Sequence, residues 1–596
     1  MVILGLIGDG KNPGACLLRD GDLVAFIEEE RLTRFKSSHG FFPARSARRC
    51  LEMAGISSLD GVDAIAWGWD STKYPGAMLR FFARSHLASR ARTRDPVRAG
   101  DAPGGGAIAG VLRLLFEERP ARRLERVREQ FRQVGLSGRI PPVHFISHHL
   151  AHAASTYYLS GLDHAAILVM DGSGEETCTT IAEGRGDTIR ILESIPIPES
   201  LGWYYAAFTE ILGFEPYRDE GKLMGLAAYG RPDPRWEEVV SRVLSRGADG
   251  AYAVNPRYTL LGHHFLGNHY SDDLAALCGM VRRRGEPLTD EHRNLAFAVQ
   301  QGLERAALGL ARRAMARVGS HNLCLAGGVS LNCKMNGVLR RESGCETLFV
   351  QPAANDSGTA LGAALLLSQR LDRLVRFRMD HTHYGPGYTS DEIRATLDLC
   401  QLDYEEPPDV AEAAARLIAE DRVVGWFQGR MEFGPRALGG RSILANAVSP
   451  GIADLVNRRV KFREPWRPFC PSMRAGFEKV WLRHGETAPF MIVAYEAAEG
   501  WAEKLPSVVH VDGSVRPQTV SGALAPVDRP ENRFHGLLRA LGDRVGYEVA
   551  LNTSFNVRGE PVVCSPLDAV RCYTGTGMDA LVIGDFLLRK RPDRGG

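Results

Sequence analysis

The sequence predicts an α/β protein of two domains. Three observations carry that reading: the length, a strand-and-turn unit that occurs twice, and a break in composition near residue 380. A chain of 596 residues exceeds the roughly 250–300 that one hydrophobic core usually serves. The first apolar run, residues 2–7, ends in Gly8-Asp9-Gly10. After it, ACLLRDGDLVAFIEEE reads as two strands around an Arg19-Asp20-Gly21-Asp22 turn, a hairpin signal. The same order returns at Ala165–Met170, which ends in Asp171-Gly172-Ser173-Gly174 and precedes strand-like runs near 177–183 and 188–195.

Between these repeats, residues 78–133 are Arg-rich and read as a solvated helical insertion broken by DPVRAGDAPGGG, with Glu–Arg pairs at helical spacing. Further on, Asn322–Ala326 is a strand, Gly327-Gly328-Val329 a turn, and a helix follows from Leu331. Ser357–Gln369 is an Ala/Leu-rich helix. The break at 370–390, ending in Gly385-Pro386-Gly387, divides a domain over 1–370 from one over 380–596.

Composition narrows the classes. With 73 basic and 71 acidic residues no broad electrostatic footprint for nucleic acid is expected. No run of about 18 apolar residues offers a membrane span. The start, MVILGLIGDG, lacks a basic n-region and reads as a core strand instead of a signal peptide. Eleven cysteines without Cys-x-x-Cys spacing fit reduced thiols, so a cytoplasmic location is expected.

The strongest local signal is SHHLAHAAS. His148 and His152 stand four apart, which on a helix puts both imidazoles on one face, able to share a metal or simply to pack. A zinc-protease reading fails because position 149 is His, where that motif needs Glu. Asp171 and Asp356 occupy glycine-flanked turns from which a carboxylate could complete the set. Mixed nitrogen and oxygen donors suit iron, manganese or zinc. In LAGGVSLN, Gly327 and Gly328 follow a strand and precede a helix, where backbone can approach an anion or merely turn tightly.

The carboxy-terminal part carries basic residues set among Gly, Pro, Phe and Trp. These are Arg430, Arg436 and Arg441 in GRMEFGPRALGGRS, Lys461, Arg463 and Arg467 in VKFREPWRPFCPSM, and Arg516 in HVDGSVRPQTV. LNTSFN adds Asn552, Ser554 and Asn556. Guanidinium groups match phosphate oxygens, and hydroxyl and amide groups complete such cradles. A small anionic-substrate pocket is expected here.

The order EEERLTRFK, HHLAHAAS, MDGSGE, EGKLMGLAAYG, LAGGVSLN, FGPRALGGRS, FREPWRPF and LNTSFN resembles the O-carbamoyltransferases of nodulation-factor and antibiotic biosynthesis, over nearly the whole chain. The resemblance implies an amino-terminal actin-like domain (the ASKHA, duplicated ribonuclease-H-like fold) fused to a YrdC-like α/β domain. It implies that the second domain makes carbamoyl-adenylate from carbamoyl phosphate and ATP with Mg, gripping these anions through Lys461, Arg463, Arg467, Arg516, Asn552, Ser554 and Asn556. It also implies that His148, His152, Asp171 and Asp356 bind Fe(II), with Mn or Zn as alternatives. Gly327, Gly328 and Asn332 would fix the nucleotide or carbamoyl group. Lys36, Lys222, Arg430 and Arg436 are assigned to substrate binding, with Lys36 and Lys222 facing the amino-terminal cleft. The acceptor would be a hydroxylated natural product, and a homodimer is the family-weighted expectation.

One departure from the family pattern stands out. Lys11-Asn12 occupies the place where relatives commonly carry His-Asp. An ordinary lysine is protonated at pH 7 and suits charge stabilisation, which leaves the catalytic base open with Lys11 as a candidate. The rival readings are a tRNA threonylcarbamoyl-type transferase, which needs RNA contact, and a nucleotide- and metal-binding regulator without turnover. A loop GHHFLGNHY with His263, His264 and His269 is read as polar surface, with acceptor contact as the alternative.

Overall fold

The computed structural model describes residues 1–8, 10–70, 72–73, 120–260, 268–522 and 529–590. The glycine-rich break at 95–106, most of the Arg-rich segment, Asp9, His263 and His264 lie outside the described residues; the end of that segment, Pro120–Gln133, is a helix. The chain forms two compact units: Met1–Val24 with Gly40–Met379, and Ala25–His39 with Asp380–Gly596.

The first unit is built from one topology used twice. The opening hairpin pairs Val2–Ile7 with Gly14–Arg19, from Val2 opposite Arg19 to Ile7 opposite Gly14. Its next turn places Asp20 and Gly21 at φ 51° and 92°, the left-handed pair that matches hairpin twist. Asp22–Glu28 lies at the sheet edge, while Ala64–Trp67 and Val143–Phe145 add on the other side in parallel. The chain leaves the first unit within that edge strand, after Val24. The second sheet repeats the order. His164–Met170, Thr177–Arg185 and Thr188–Pro196 form the antiparallel meander, and Asn322–Ala326 and Thr347–Val350 extend it in parallel. This 3-2-1-4-5 order in both halves is the duplicated ribonuclease-H-like body expected.

Helices position the site within this unit. Ser357–Arg370 is buried along most of its length because Ala, Leu and Gly fill nearly every turn. It packs on Val2–Ile7 and on the helix His148–Tyr157. A Cβ at Gly362 would run into the Ala151 carbonyl oxygen, so only glycine lets these two helices approach so closely.

The second unit has a seven-stranded mixed sheet in the order Gln518–Val520, Cys470–Arg474, Val549–Ser554, Arg441–Asn446, Val424–Phe427, Ala580–Ile583, Phe586–Arg589. One face is covered by the helices Val410–Ala419 and Pro530–Val545 around Trp426 and Phe534. The other packs on Pro566–Thr574 and Ile452–Val456, with Trp481 at its core. Residues 25–39, counted from sequence in the amino-terminal domain, belong to this unit. The Phe26 ring stacks on Phe433 at 4.3 Å. Arg31 donates to the Gly434 carbonyl at 2.7 Å, and Arg34 donates to those of Val562 and Pro561 at 2.6 and 2.9 Å. These partners are remote in sequence, so no local pattern announces them.

None of the helices among the described residues is long and apolar enough to cross a membrane. All eleven cysteines are free thiols, ten of them buried.

Candidate functional site

The first donor set forms at element ends in the first unit. His148 and His152 lie on one face of His148–Tyr157, fully buried, with ring centroids 4.6 Å apart. Asp171 follows the strand His164–Met170, and Asp356 stands at the N-cap of Ser357–Arg370. His148 Nε2 lies 3.3 Å from an Asp171 oxygen and 3.9 Å from one of Asp356, and His152 Nε2 lies 3.6 Å from Asp171. One donor atom from each of the four falls within 4.8 Å of the rest.

Neighbours fix these groups. The His148 Nδ1 atom faces the Gly68 carbonyl at 3.0 Å, which assigns a proton to Nδ1 and turns Nε2 towards Asp171 and Asp356. The Gly328 N–H donates to Asp171 at 2.9 Å. Gly327 takes φ 90°, and a Cβ there would meet the Met170 carbonyl oxygen, so the Gly-Gly turn first serves to seat this carboxylate. Glu175 accepts from the backbone N–H groups of His148 and Asp70 at 2.8 and 2.7 Å. It anchors the start of the histidine helix, a role sequence reading missed although Glu175 lies in the same MDGSGE motif.

The electrostatics ask for a cation. Burial opposes charge on His148, yet Asp171, Asp356 and Glu175 lift it to about 9. Asp171 sits well below the carboxylate range because the facing His148 and His152 imidazoles, 3.3 and 3.6 Å away, outweigh burial. Asp356 is raised by burial and by the charge of Asp171. His148 Nε2 and both ring nitrogens of His152 are buried without a hydrogen-bond partner. Two imidazoles and two carboxylates with orphaned lone pairs fit a divalent transition metal. His149 is not part of the set: it pairs with Thr180 Oγ1 at 2.9 Å, and burial pushes it down to about 3.

Lys11 lies over the Tyr217 ring beside this cluster. Burial lowers its pKa to about 7 against the pull of Asp356, Glu220 and Asp171. This corrects the assumption of an ordinary, permanently charged lysine. Glu220, which the sequence reading passed over, is raised to about 6, chiefly by burial. Asn332 caps the helix Cys333–Glu342 and exchanges two hydrogen bonds with Gln300, at 3.0 and 2.9 Å, so its amide is already engaged. Lys222 pairs with Asp219 at 2.8 Å. His269 is buried, its ring 4.6 Å from Tyr217 and its backbone N–H donating to Glu210, which corrects the polar-surface reading of that residue.

The second set forms in the other unit. Lys461 ends the π-helical turn Asn457–Lys461 and is buried. Its ammonium donates to Ser554 O, Ser554 Oγ, Asn556 O and Asn556 Oδ1 at 2.7, 3.2, 2.9 and 2.6 Å. Burial pushes its pKa well below the lysine range, and Arg463, Arg467 and Lys36 add to this. The four oxygens favour the charged form, so neutral acceptors hold an ammonium among like charges. Arg463 rests on the Phe469 ring at 4.1 Å and donates to Asn457 at 2.9 Å. Burial, Arg467 and Arg516 press it down to about 9, still charged at neutral pH. The Arg516 Nε and Nη2 atoms lie 3.1 and 2.9 Å from Cys470 Sγ.

Not every residue singled out joins this cradle. Asn552 lies within the sheet, its amide donating to Ser472 Oγ at 2.8 Å. The Arg441 guanidinium is consumed by the carbonyls of Gln428, Gly440, Pro386 and Gly429 at 2.9–3.1 Å, which corrects its reading as an anion ligand. Arg430 donates to Gly385 and Tyr384 carbonyls at 3.0 and 2.6 Å, and Arg436 is half-buried. Lys36 pairs with Glu30 at 3.2 Å and acts on Lys461. It therefore belongs with the second unit, contrary to its expected place in the amino-terminal cleft.

A duplicated α/β body carries a cation-seeking donor set, and the second unit of the same chain an anion-seeking one. The chain belongs to the carbamoyltransferase family: the carbamoyltransferase N-terminus matches residues 3–365 and the carbamoyltransferase C-terminus residues 415–590. It is 36% identical to an uncharacterised protein of Synechocystis over 99% of this chain and 96% of that one. With nodulation protein NolNO of Sinorhizobium fredii it shares 35% identity over 97% of this chain and 78% of the relative. With the 3'-hydroxymethylcephem-O-carbamoyltransferase of Streptomyces clavuligerus it shares 31% over 67% of this chain and 72% of the relative.

Proposed function

We propose that this carbamoyltransferase activates carbamoyl phosphate with ATP and passes the carbamoyl group to a hydroxyl of a natural product. The observation that carries the reading is the Lys461 cradle: a buried ammonium on neutral oxygens, with Arg463 and Arg467 acting on it. An anion relieves that repulsion, and phosphate oxygens suit both guanidinium and ammonium donors. In the second unit, water cleaves carbamoyl phosphate to carbamate and phosphate. A carbamate oxygen then attacks the α-phosphorus of Mg-bound ATP, giving carbamoyl-adenylate and pyrophosphate. Lys461 and the arginines bind the anions and offset charge that grows in the transition state.

In the first unit, the acceptor hydroxyl oxygen attacks the carbamoyl carbon and AMP leaves. His148, His152, Asp171 and Asp356 would hold Fe(II), which when bound supplies Lewis acidity for a leaving phosphate oxygen. Lys11, drawn down to about 7, is suited to take the acceptor proton near neutral pH. Hydroxyl transfer is favoured over tRNA modification by the name of one relative, a cephem O-carbamoyltransferase.

The test needs no acceptor. Purified protein is incubated with carbamoyl phosphate, ATP and Mg, following phosphate and pyrophosphate while mass spectrometry seeks carbamoyl-adenylate. Adenylate that disappears in Lys461→Ala and Arg516→Ala supports the proposal. Folded, metal-loaded protein with no carbamoyl-phosphate-dependent turnover would sink it and bring the tRNA-modifying and regulatory readings forward.

A further inference from the structure

A second group of donors lies in the second unit, in the segment that the sequence shows only as a break in composition. His381 and His383 stand two apart before the helix Ser390–Leu399, and Glu531 lies in the first turn of Pro530–Val545. One donor atom from each falls within 4.8 Å of the other two. His383 and Glu531 are 5% and 7% exposed. His383 Nδ1 meets Glu531 Oε1 at 2.6 Å, while His383 Nε2 and Glu531 Oε2 are buried with no hydrogen-bond partner. His381 Nδ1 accepts from the His383 backbone N–H at 3.1 Å.

A buried His–Glu ion pair accounts for the 2.6 Å contact but leaves the two orphaned atoms unexplained, and each costs free energy where it is. The histidines also line a cavity of about 530 Å³ with Glu392, Arg430 and Arg529. Its guanidinium groups have other work: Arg430 donates to two carbonyls, and Arg529 faces Asp380 at 3.5 Å. The imidazoles of His381 and His383 therefore set the chemistry of this wall, with Glu531 behind them, and lone pairs call for a cation.

We propose that His381, His383 and Glu531 form a second metal site, separate from the His148 set, that takes a zinc-class divalent ion with a coordination position open to the cavity. Two imidazoles and one carboxylate are a borderline donor set that suits Zn, Co or Ni over Mg or Ca. Three protein ligands with an open side are the pattern of sites that bind a further ligand, in contrast to closed structural sites.

Full-length protein is stripped with chelator and titrated with Zn(II) or Co(II) alone, reading bound metal by mass spectrometry and cobalt by its visible bands. Wild type should bind two ions per chain. His148→Ala/His152→Ala protein should keep one, lost when His383→Gln is added. His381→Ala, at a half-buried ring, should weaken that ion about tenfold or more and serves if His383→Gln does not fold. The proposal is overturned if the His148→Ala/His152→Ala protein binds no ion, or if its ion is indifferent to both further substitutions.

Discussion

The two donor sets are mirror images in charge. Around His148 the structure gathers lone pairs and two carboxylates, buried and short of a positive charge. Around Lys461 it gathers an ammonium held by neutral oxygens, with guanidinium groups beside it that outnumber the one carboxylate, Glu464, against them. They are also assembled differently. The metal donors come from three element ends far apart in sequence, brought together by strand order and one close helix contact. Much of the cradle comes from the short stretch 461–467 and the turn after the strand Val549–Ser554, with Arg516 added from between. One set therefore depends on the global packing of its unit, and the other more on local turns.

The sharpest way to break this comparison is to remove one charge deficit and ask whether the other half-reaction survives. Lys461→Ala should lower carbamoyl-phosphate-dependent pyrophosphate release by about a thousandfold, the scale of losing a preorganised charge donor, while metal content is unchanged. Conversely, His148→Ala/His152→Ala should lose the metal of that set and drop carbamoyl transfer to an acceptor by about a hundredfold or more. Pyrophosphate release in that variant should stay within about threefold of wild type. Equal loss of both activities in either variant would end the division of labour.

A smaller effect tests how the metal set is built. Gly327→Ala places a Cβ against the Met170 carbonyl at φ 90°, and should cost about 1–3 kcal/mol in denaturant unfolding. Because the same turn seats Asp171 through the Gly328 N–H, metal affinity at the His148 set should fall with it.

The smallest effect concerns pH. A base acts when deprotonated, so with Lys11 at about 7 the transfer rate should rise with pH and level off above that value, about tenfold per unit on the rising limb. A metal ion that offsets Asp171 and Asp356 removes the charge holding Lys11 up, moving the midpoint to or below 7. Lys11→Arg should abolish the rise, and a profile unchanged in that variant would assign the proton to another group.

Much of this was legible in the chain. The spacing of His148 and His152 fixes their common face once the segment is helical, and the Asp20-Gly21 turn fixes the reversal between Gly14–Arg19 and Asp22–Glu28, because both depend only on local geometry. The repeat of strand, acidic-glycine turn and hairpin likewise foretold two sheets of the same order. Basic residues among glycines and aromatics pointed to an anion cradle. They did not distinguish Lys461, whose ammonium meets the Ser554–Asn556 turn among other cations, from Arg441, whose guanidinium is spent on four carbonyls. That difference is one of burial and partners, which residue type does not encode.

The sequence by itself determined the element types, the duplicated topology and the chemistry available at each motif, since these follow from periodicity, turn residues and side-chain type. Tertiary structure alone decided which of those groups meet. It set Asp171 and Asp356 against one pair of histidines, drew residues 25–39 into the second unit, lowered Lys11 into the neutral range, and joined His381 and His383 to Glu531. Each of these rests on contacts between segments far apart along the chain and on the removal of water around them. Only the folded packing of each unit supplies those two quantities.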